Sequence, residues 1–272
     1  MAYYYICSPK GGIGKSTFCY QYVAPYSYIK TQKKPLILDC DNANREFETF
    51  SKSSILESRE CNLSDINNTN IFFEDRDLIF DTGSTTLCQK ALNNFYEIGA
   101  IDNIDHFFIP LTTGTQSFSS AIDVYNAIKG YKADAKICFI LNSQYDINEL
   151  PLEIQFIDFL GDQKYFLTSN NSIGRFDELK KEDPNVNYLV INFVACLFWT
   201  NSLNLTAFEY ADKVNFINTK VSDALKKAKQ DPSLIPHYRL ASNRLRLAKQ
   251  CQKFRNELEQ NFFKKLDEVL NV

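Results

Sequence analysis

The chain has 272 residues, 44% hydrophobic and 23% charged, with a formal net charge of −3. That composition excludes a disordered chain, a collagen-like repeat and a small disulfide scaffold. The length suits one large domain with a sizeable core or two small ones.

Apolar runs at Tyr3–Cys7, Pro35–Leu38, Asp77–Phe80, His106–Pro110, Lys136–Leu141 and Lys164–Leu167 read as strands. Helix-like segments lie between them, among them Lys15–Lys30 and Ser117–Lys129, and Asn-rich Cys61–Ile71 reads as a loop. Strand–helix alternation with nearly continuous apolar strands predicts an α/β fold. Its doubly wound, mostly parallel sheet would be covered by helices on both faces. After about Asp183 the strand signals fade and helical periodicity takes over. The uncharged stretch Asn185–Phe208 contains a twelve-residue apolar run, Tyr188–Trp199. A membrane span needs about 20 predominantly apolar residues, so the run is expected to be a buried helix.

The first strand leads into Ser8-Pro9-Lys10-Gly11-Gly12-Ile13-Gly14-Lys15-Ser16-Thr17 and then a helix. The chain has only nine glycines, and three of them fall within four positions here. Glycine permits positive φ and close backbone approach, and a helix N-terminus favours anions. The pattern therefore predicts a phosphate loop at Gly11, Gly12, Ile13 and Gly14. Lys15 would reach the β/γ-phosphates, the Ser16 hydroxyl would bind Mg²⁺, and Thr17 would donate to the α-phosphate. Pro9 stands where the common phosphate-loop pattern has its first Gly.

Lys10-Gly11-Gly12-Ile13-Gly14-Lys15-Ser16 resembles the deviant phosphate loop of the ParA/MinD family of ATPases. Ile37-Leu38-Asp39-Cys40-Asp41 is similar to the family's second motif, and Leu78-Ile79-Phe80-Asp81 to its third. Ile109-Pro110 with Thr112–Ile128 resembles the next strand–helix unit, and Phe139-Ile140-Leu141-Asn142 the strand whose terminal Asn reads adenine. These motifs span roughly residues 1–145 in the family's order. The third motif continues Thr82-Gly83, where partition members often carry prolines and relatives from conjugative plasmids tolerate Gly.

The resemblance implies ATP and Mg²⁺ as cofactors and hydrolysis of ATP to ADP and phosphate, slow and stimulated by a partner. Ser16 would be a direct metal ligand, while Asp39 and Asp81, at strand ends, would hold metal-bound waters. Asp41 would orient the attacking water, and Asn142 would contact adenine. Lys10 would cross a homodimer interface to the partner's nucleotide, two chains sandwiching two ATP molecules.

Residues 213–272 hold thirteen Lys/Arg against six Asp/Glu, a net of +7, and residues 1–212 carry −10. A nucleotide-binding core over 1–182 and a basic helical region over 183–272 are expected within one domain. On a helical wheel of Arg239–Leu258, Leu240, Leu247, Cys251, Phe254 and Leu258 share one face. Arg239, Arg246, Lys249 and Lys253 share the opposite one. Such a stripe suits phosphate backbones without sequence readout. The last helix mixes Lys264 and Lys265 with Glu259, Asp267 and Glu268. A membrane anchor favours a Lys/Arg-rich polar face, so packing on the body or a partner is expected and membrane attachment is not.

The eight cysteines form no C-x-x-C pair, and His106 and His237 are the only histidines. A zinc site is not expected, and a reducing cytosol is; the N-terminus lacks the signal-peptide pattern. Together these features predict a cytoplasmic, nucleoid-associated ParA-like ATPase. It would dimerise on ATP, bind DNA non-specifically and partition plasmid or chromosomal DNA with a ParB-like or other stimulating protein. A conjugation or relaxosome accessory ATPase, a MinD-like membrane-cycling ATPase and a nucleotide-dependent binding module with negligible turnover stay open.

Overall fold

The computed structural model describes residues 1–8, 10–40, 46–62, 69–83, 85–143, 150–161, 174–192 and 194–271. The strand expected over Lys164–Leu167 and the residue Asp41 lie outside them. The strands are β1 (Tyr3–Ile6), β2 (Leu36–Asp39), β3 (Glu57–Glu60), β4 (Leu78–Asp81), β5 (His106–Leu111), β6 (Ile137–Asn142) and β7 (Asn187–Ile191). They form one sheet in the order β3-β2-β4-β1-β5-β6-β7, and every pair is parallel. The α/β, doubly wound architecture read from the sequence is thus the observed one.

The helices, in chain order, begin with α1 (Lys15–Phe18), α2 (Ala24–Thr31) and α3 (Glu46–Thr49). On the middle of the chain lie α4 (Thr85–Glu97), α5 (Thr115–Tyr131), α6 (Leu152–Gln155), α7 (Ile157–Leu160) and α8 (Arg175–Glu182). The last third carries α9 (Ala195–Asn201), α10 (Ala207–Ala211), α11 (Val214–Gln230), α12 (Ile235–Glu257) and α13 (Phe263–Leu270). A π-helical turn, Cys19–Val23, joins α1 to α2. The helix expected over Lys15–Lys30 is therefore interrupted. Pro25 has no N–H to give to the preceding turn, and the wider turn before it accommodates the ring.

Alternate strand residues divide between two cores, as a sheet buried on both faces requires. Tyr4, Ile6, Ile37, Ile79, Phe108 and Ile140 face one core, which the π-turn and the last third of the chain complete through Tyr22, Phe254, Phe262, Phe263 and Leu266. Tyr5, Leu38, Phe80, Phe107 and Phe139 face the other, closed by Leu92 and Phe95 of α4, Tyr125 of α5 and Phe159 of α7.

Two strands escape the sequence reading. β3 reads Glu-Ser-Arg-Glu and has no apolar signal, because it is an edge strand whose charges face water and neighbouring ions. Glu57 there accepts from Arg59 at 2.8 Å and from Arg76 at 2.6 Å. β7 corrects the expected buried helix. Asn187–Ile191 pairs with β6 from Cys138↔Asn187 to Asn142↔Ile191, and helix begins only at Ala195. A continuous apolar run carries no period of its own, so the free edge of β6 decided the outcome. Among the described residues no helix is long and apolar enough to cross a membrane.

Candidate active site

The sheet order places β1 between β4 and β5, with the chain leaving in opposite directions on either side. Such a switch point opens a crevice at the carboxyl ends of the strands. The loop Lys10–Gly14 lies there, between β1 and α1. Gly12 has φ 70° and Gly14 φ 88°, the left-handed region that glycine adopts without strain. Gly11 and Gly12 are exposed, Ile13 is buried, and Ser16 and Thr17 are half-buried in the first turn of α1.

Lys15 is only 7% exposed, and its Nζ donates to the Lys10 carbonyl at 2.9 Å. The Lys10 side chain itself is exposed. Opposite the loop, Asp39 and Asp81 stand side by side as register partners at the ends of β2 and β4, and Asp81 is also the partner of Ile6 on β1. Adjacent strands are about 4.8 Å apart, and both carboxylates are almost fully buried, at 2% and 1% exposure. Backbone bonds fix these ends to one another. Cys40 N–H donates to the Asp81 carbonyl at 2.8 Å, and Thr82 donates to the Ile6 carbonyl through N–H and Oγ1 at 3.2 and 2.9 Å.

Cys19, in the π-turn, was not singled out by sequence reasoning, yet its buried thiol lies near the Asp81 and Asp39 carboxylates. Burial, with the Asp81 and Asp39 carboxylates, pushes that thiol well above its ordinary range, and the nearby Lys15 ammonium opposes the shift. One ammonium and two carboxylates in a buried site leave an excess of negative charge and hard oxygen donors. That donor set fits Mg²⁺ held through its waters.

Asn142 ends β6 and donates Nδ2 to the Ile13 carbonyl at 2.9 Å. A Cβ on Gly14 would lie 2.4 Å from that same nitrogen. The Asn latches the glycine loop, a contact that the expected role in base recognition did not include. Asp41 lies outside the described residues.

The basic residues lie on α12. Arg239, Arg246, Lys249 and Lys253 are all exposed, while Cys251, Phe254 and Leu258 are buried. Leu240 departs from the expected apolar face, at 52% exposure. Arg255 is engaged elsewhere: it donates to Asp212 at 2.5 Å and Glu259 at 2.9 Å and lies 4.1 Å over the Phe208 ring.

No family model matches the chain, and no curated protein does. Among solved structures it is similar to a candidate plasmid partition protein of Borrelia burgdorferi B31 bound to AMPPNP. That match has 15% identity and a TM-score of 0.42 and covers 70% of this chain and 86% of the other. It is also similar to the septum site-determining protein MinD of Pyrococcus horikoshii OT3 complexed with Mg-ADP. Here identity is 14% and the TM-score 0.43, covering 76% of this chain and 88% of the other.

Proposed function

We propose that this chain is an ATPase of the ParA/MinD type that dimerises on ATP, binds DNA non-specifically and moves or partitions DNA. One observation carries the reading. A glycine loop with two left-handed residues and a buried lysine faces two adjoining buried carboxylates at the switch point of a parallel sheet. Phosphoryl transfer rests chiefly on positioning and charge stabilisation, and this arrangement offers both.

In the proposal the N–H groups of Gly11 to Ser16 and the α1 N-terminus cradle the phosphates. Lys15 exchanges the Lys10 carbonyl for phosphate oxygens, and Thr17 orients the α-phosphate. Ser16 directly, and Asp39 and Asp81 through bound waters, would hold Mg²⁺, which would supply neutralisation of the charge on the phosphate oxygens. Asp41 positions the attacking water. Lys10, exposed at the loop, reaches the nucleotide of a second copy. Asn142 fixes the loop and adjoins the base. The exposed cations Arg239, Arg246, Lys249 and Lys253 take the DNA backbone, and a stimulating partner resets the cycle. The last helix favours DNA over a membrane as the second surface. Its apolar residues Phe263, Leu266 and Leu270 are buried on the body.

The test combines phosphate release, nucleotide titration and a DNA gel shift with ATP, ADP or no nucleotide. Lys15→Ala and Asp39→Asn are expected to lower hydrolysis by about 100-fold or more. Neutralising the four α12 cations should abolish the ATP-dependent shift. Unchanged hydrolysis in a folded Lys15→Ala protein would overturn the ATPase reading. A DNA shift indifferent to nucleotide and to the four cations would overturn the partition reading.

A further inference from the structure

A groove of about 540 Å³ runs along the seam of α11 and α12. Val221 of α11 and Leu245 of α12 supply apolar surface, Tyr238 supplies a half-buried ring, and Arg246, Lys249 and Lys253 supply cations. No Asp or Glu occurs in α12 before Glu257, and Asp223 of α11 lies about 200° around that helix from Val221. The groove thus joins an acid-free cationic row to an apolar, aromatic wall. Ser242 also lines it, and the buried Ser242 Oγ has no hydrogen-bond partner among the described residues.

We propose that this groove binds nucleotide units of single-stranded nucleic acid, with a base against Tyr238 and Leu245 and phosphates on Arg246, Lys249 and Lys253. Size decides between occupants. A groove of 540 Å³ falls within the roughly 300–1,000 Å³ of small-ligand sites. Three turns of a docked α-helix, 10–12 Å across, would fill on the order of 1,500 Å³. A duplex can lay phosphates on the cations but keeps its bases stacked inside, so it leaves the aromatic wall unused. The three cations span seven residues, a rise of about 10 Å, enough to reach successive phosphates of one strand. Aromatic side chains and cations combined in this way accept bases of any sequence.

The inference rests on the DNA-binding reading of α12 but makes a separate claim, that bases as well as phosphates are contacted. Fluorescence anisotropy on the full chain at one salt concentration, with labelled dT15 and a labelled 15-base-pair duplex, tests it. Tyr238→Ala is expected to weaken dT15 binding about 10-fold and duplex binding less than about 2-fold. Tyr238→Phe, which keeps the ring, should bind dT15 like the parent. Lys249→Gln with Lys253→Gln should weaken both probes. Displacement of dT15 by millimolar dTMP would support the same site chemistry and name a free nucleotide as an alternative source. Equal dT15 affinity for Tyr238→Ala and the parent, or an equal loss on both probes, overturns the proposal. In the first case retained duplex binding would leave the DNA reading standing.

Discussion

Gly14 meets two demands at once. Its φ of 88° belongs to the left-handed region, and its α-carbon faces Asn142 so closely that a Cβ would sit 2.4 Å from the amide nitrogen. Gly14→Ala therefore strains the backbone and displaces the Asn142–Ile13 bond together. Urea denaturation is expected to register a loss of about 1–3 kcal/mol, and titration with a fluorescent ATP analogue a weakening of at least about 10-fold. A variant as stable and as tight-binding as the parent would count against the loop geometry. The need for glycine at 12 and 14 was legible, because local backbone conformation is written in local residue type. The partners were not: Asn142 meets Ile13 across 129 residues, and Cys19 meets Asp81 through a π-turn that no periodicity announces.

Between elements, Glu209 in α10 does the most connecting. It forms a capping box with Thr206, accepting from Thr206 N–H at 3.1 Å while Thr206 Oγ1 caps Glu209 N–H. The same carboxylate accepts from Ser53 Oγ at 3.0 Å, Ser54 N–H at 2.6 Å and Ser54 Oγ at 2.8 Å. This ties the turn after α3, downstream of the Asp39 strand, to the helical last third. Gln21 adds a second tie, accepting from Ala207 N–H at 2.9 Å and donating to Asn201 at 3.1 Å. Glu209→Ala strands several buried donors at once and is expected to cost about 2–4 kcal/mol in urea denaturation. Glu209→Gln, which keeps the shape and part of the acceptor capacity, should lose clearly less. Equal stability of Glu209→Ala and the parent would exclude the latch. The Thr-x-x-Glu signature of the cap is present in the sequence; the serines that share the carboxylate lie about 155 residues away and only folding brings them in.

Across the whole molecule, the helical last third is part of the core rather than an appendage. Tyr22 packs edge-on against Phe254 at 5.4 Å and Phe262 at 5.1 Å, and Tyr26 against Phe263 at 5.5 Å. Tyr26 Oη and Lys30 Nζ both donate to Asp267 of α13. A division at residue 182 would strip the sheet of β7 and remove the share of one face's cover that the last third supplies. Residues 1–182 expressed alone are expected to show no cooperative unfolding transition, while the full chain shows one; a sharp transition in the fragment would restore a self-contained core. The sequence by itself determined the parallel α/β class, the glycine loop between β1 and α1 and the acid-ended strands β2 and β4. Each of these is specified by short-range pattern: apolar runs, glycine spacing and a charge closing a strand. It also determined the separation of −10 in the first 212 residues from +7 in the last 60. Only the tertiary structure decided that Asn187–Ile191 is a strand, that charged β3 is an edge, that Asn142 holds the loop, and that three of the tail's cations line a groove. These depend on which surface lies alongside, and residues far apart in the chain supply that surface only when the hydrophobic faces close.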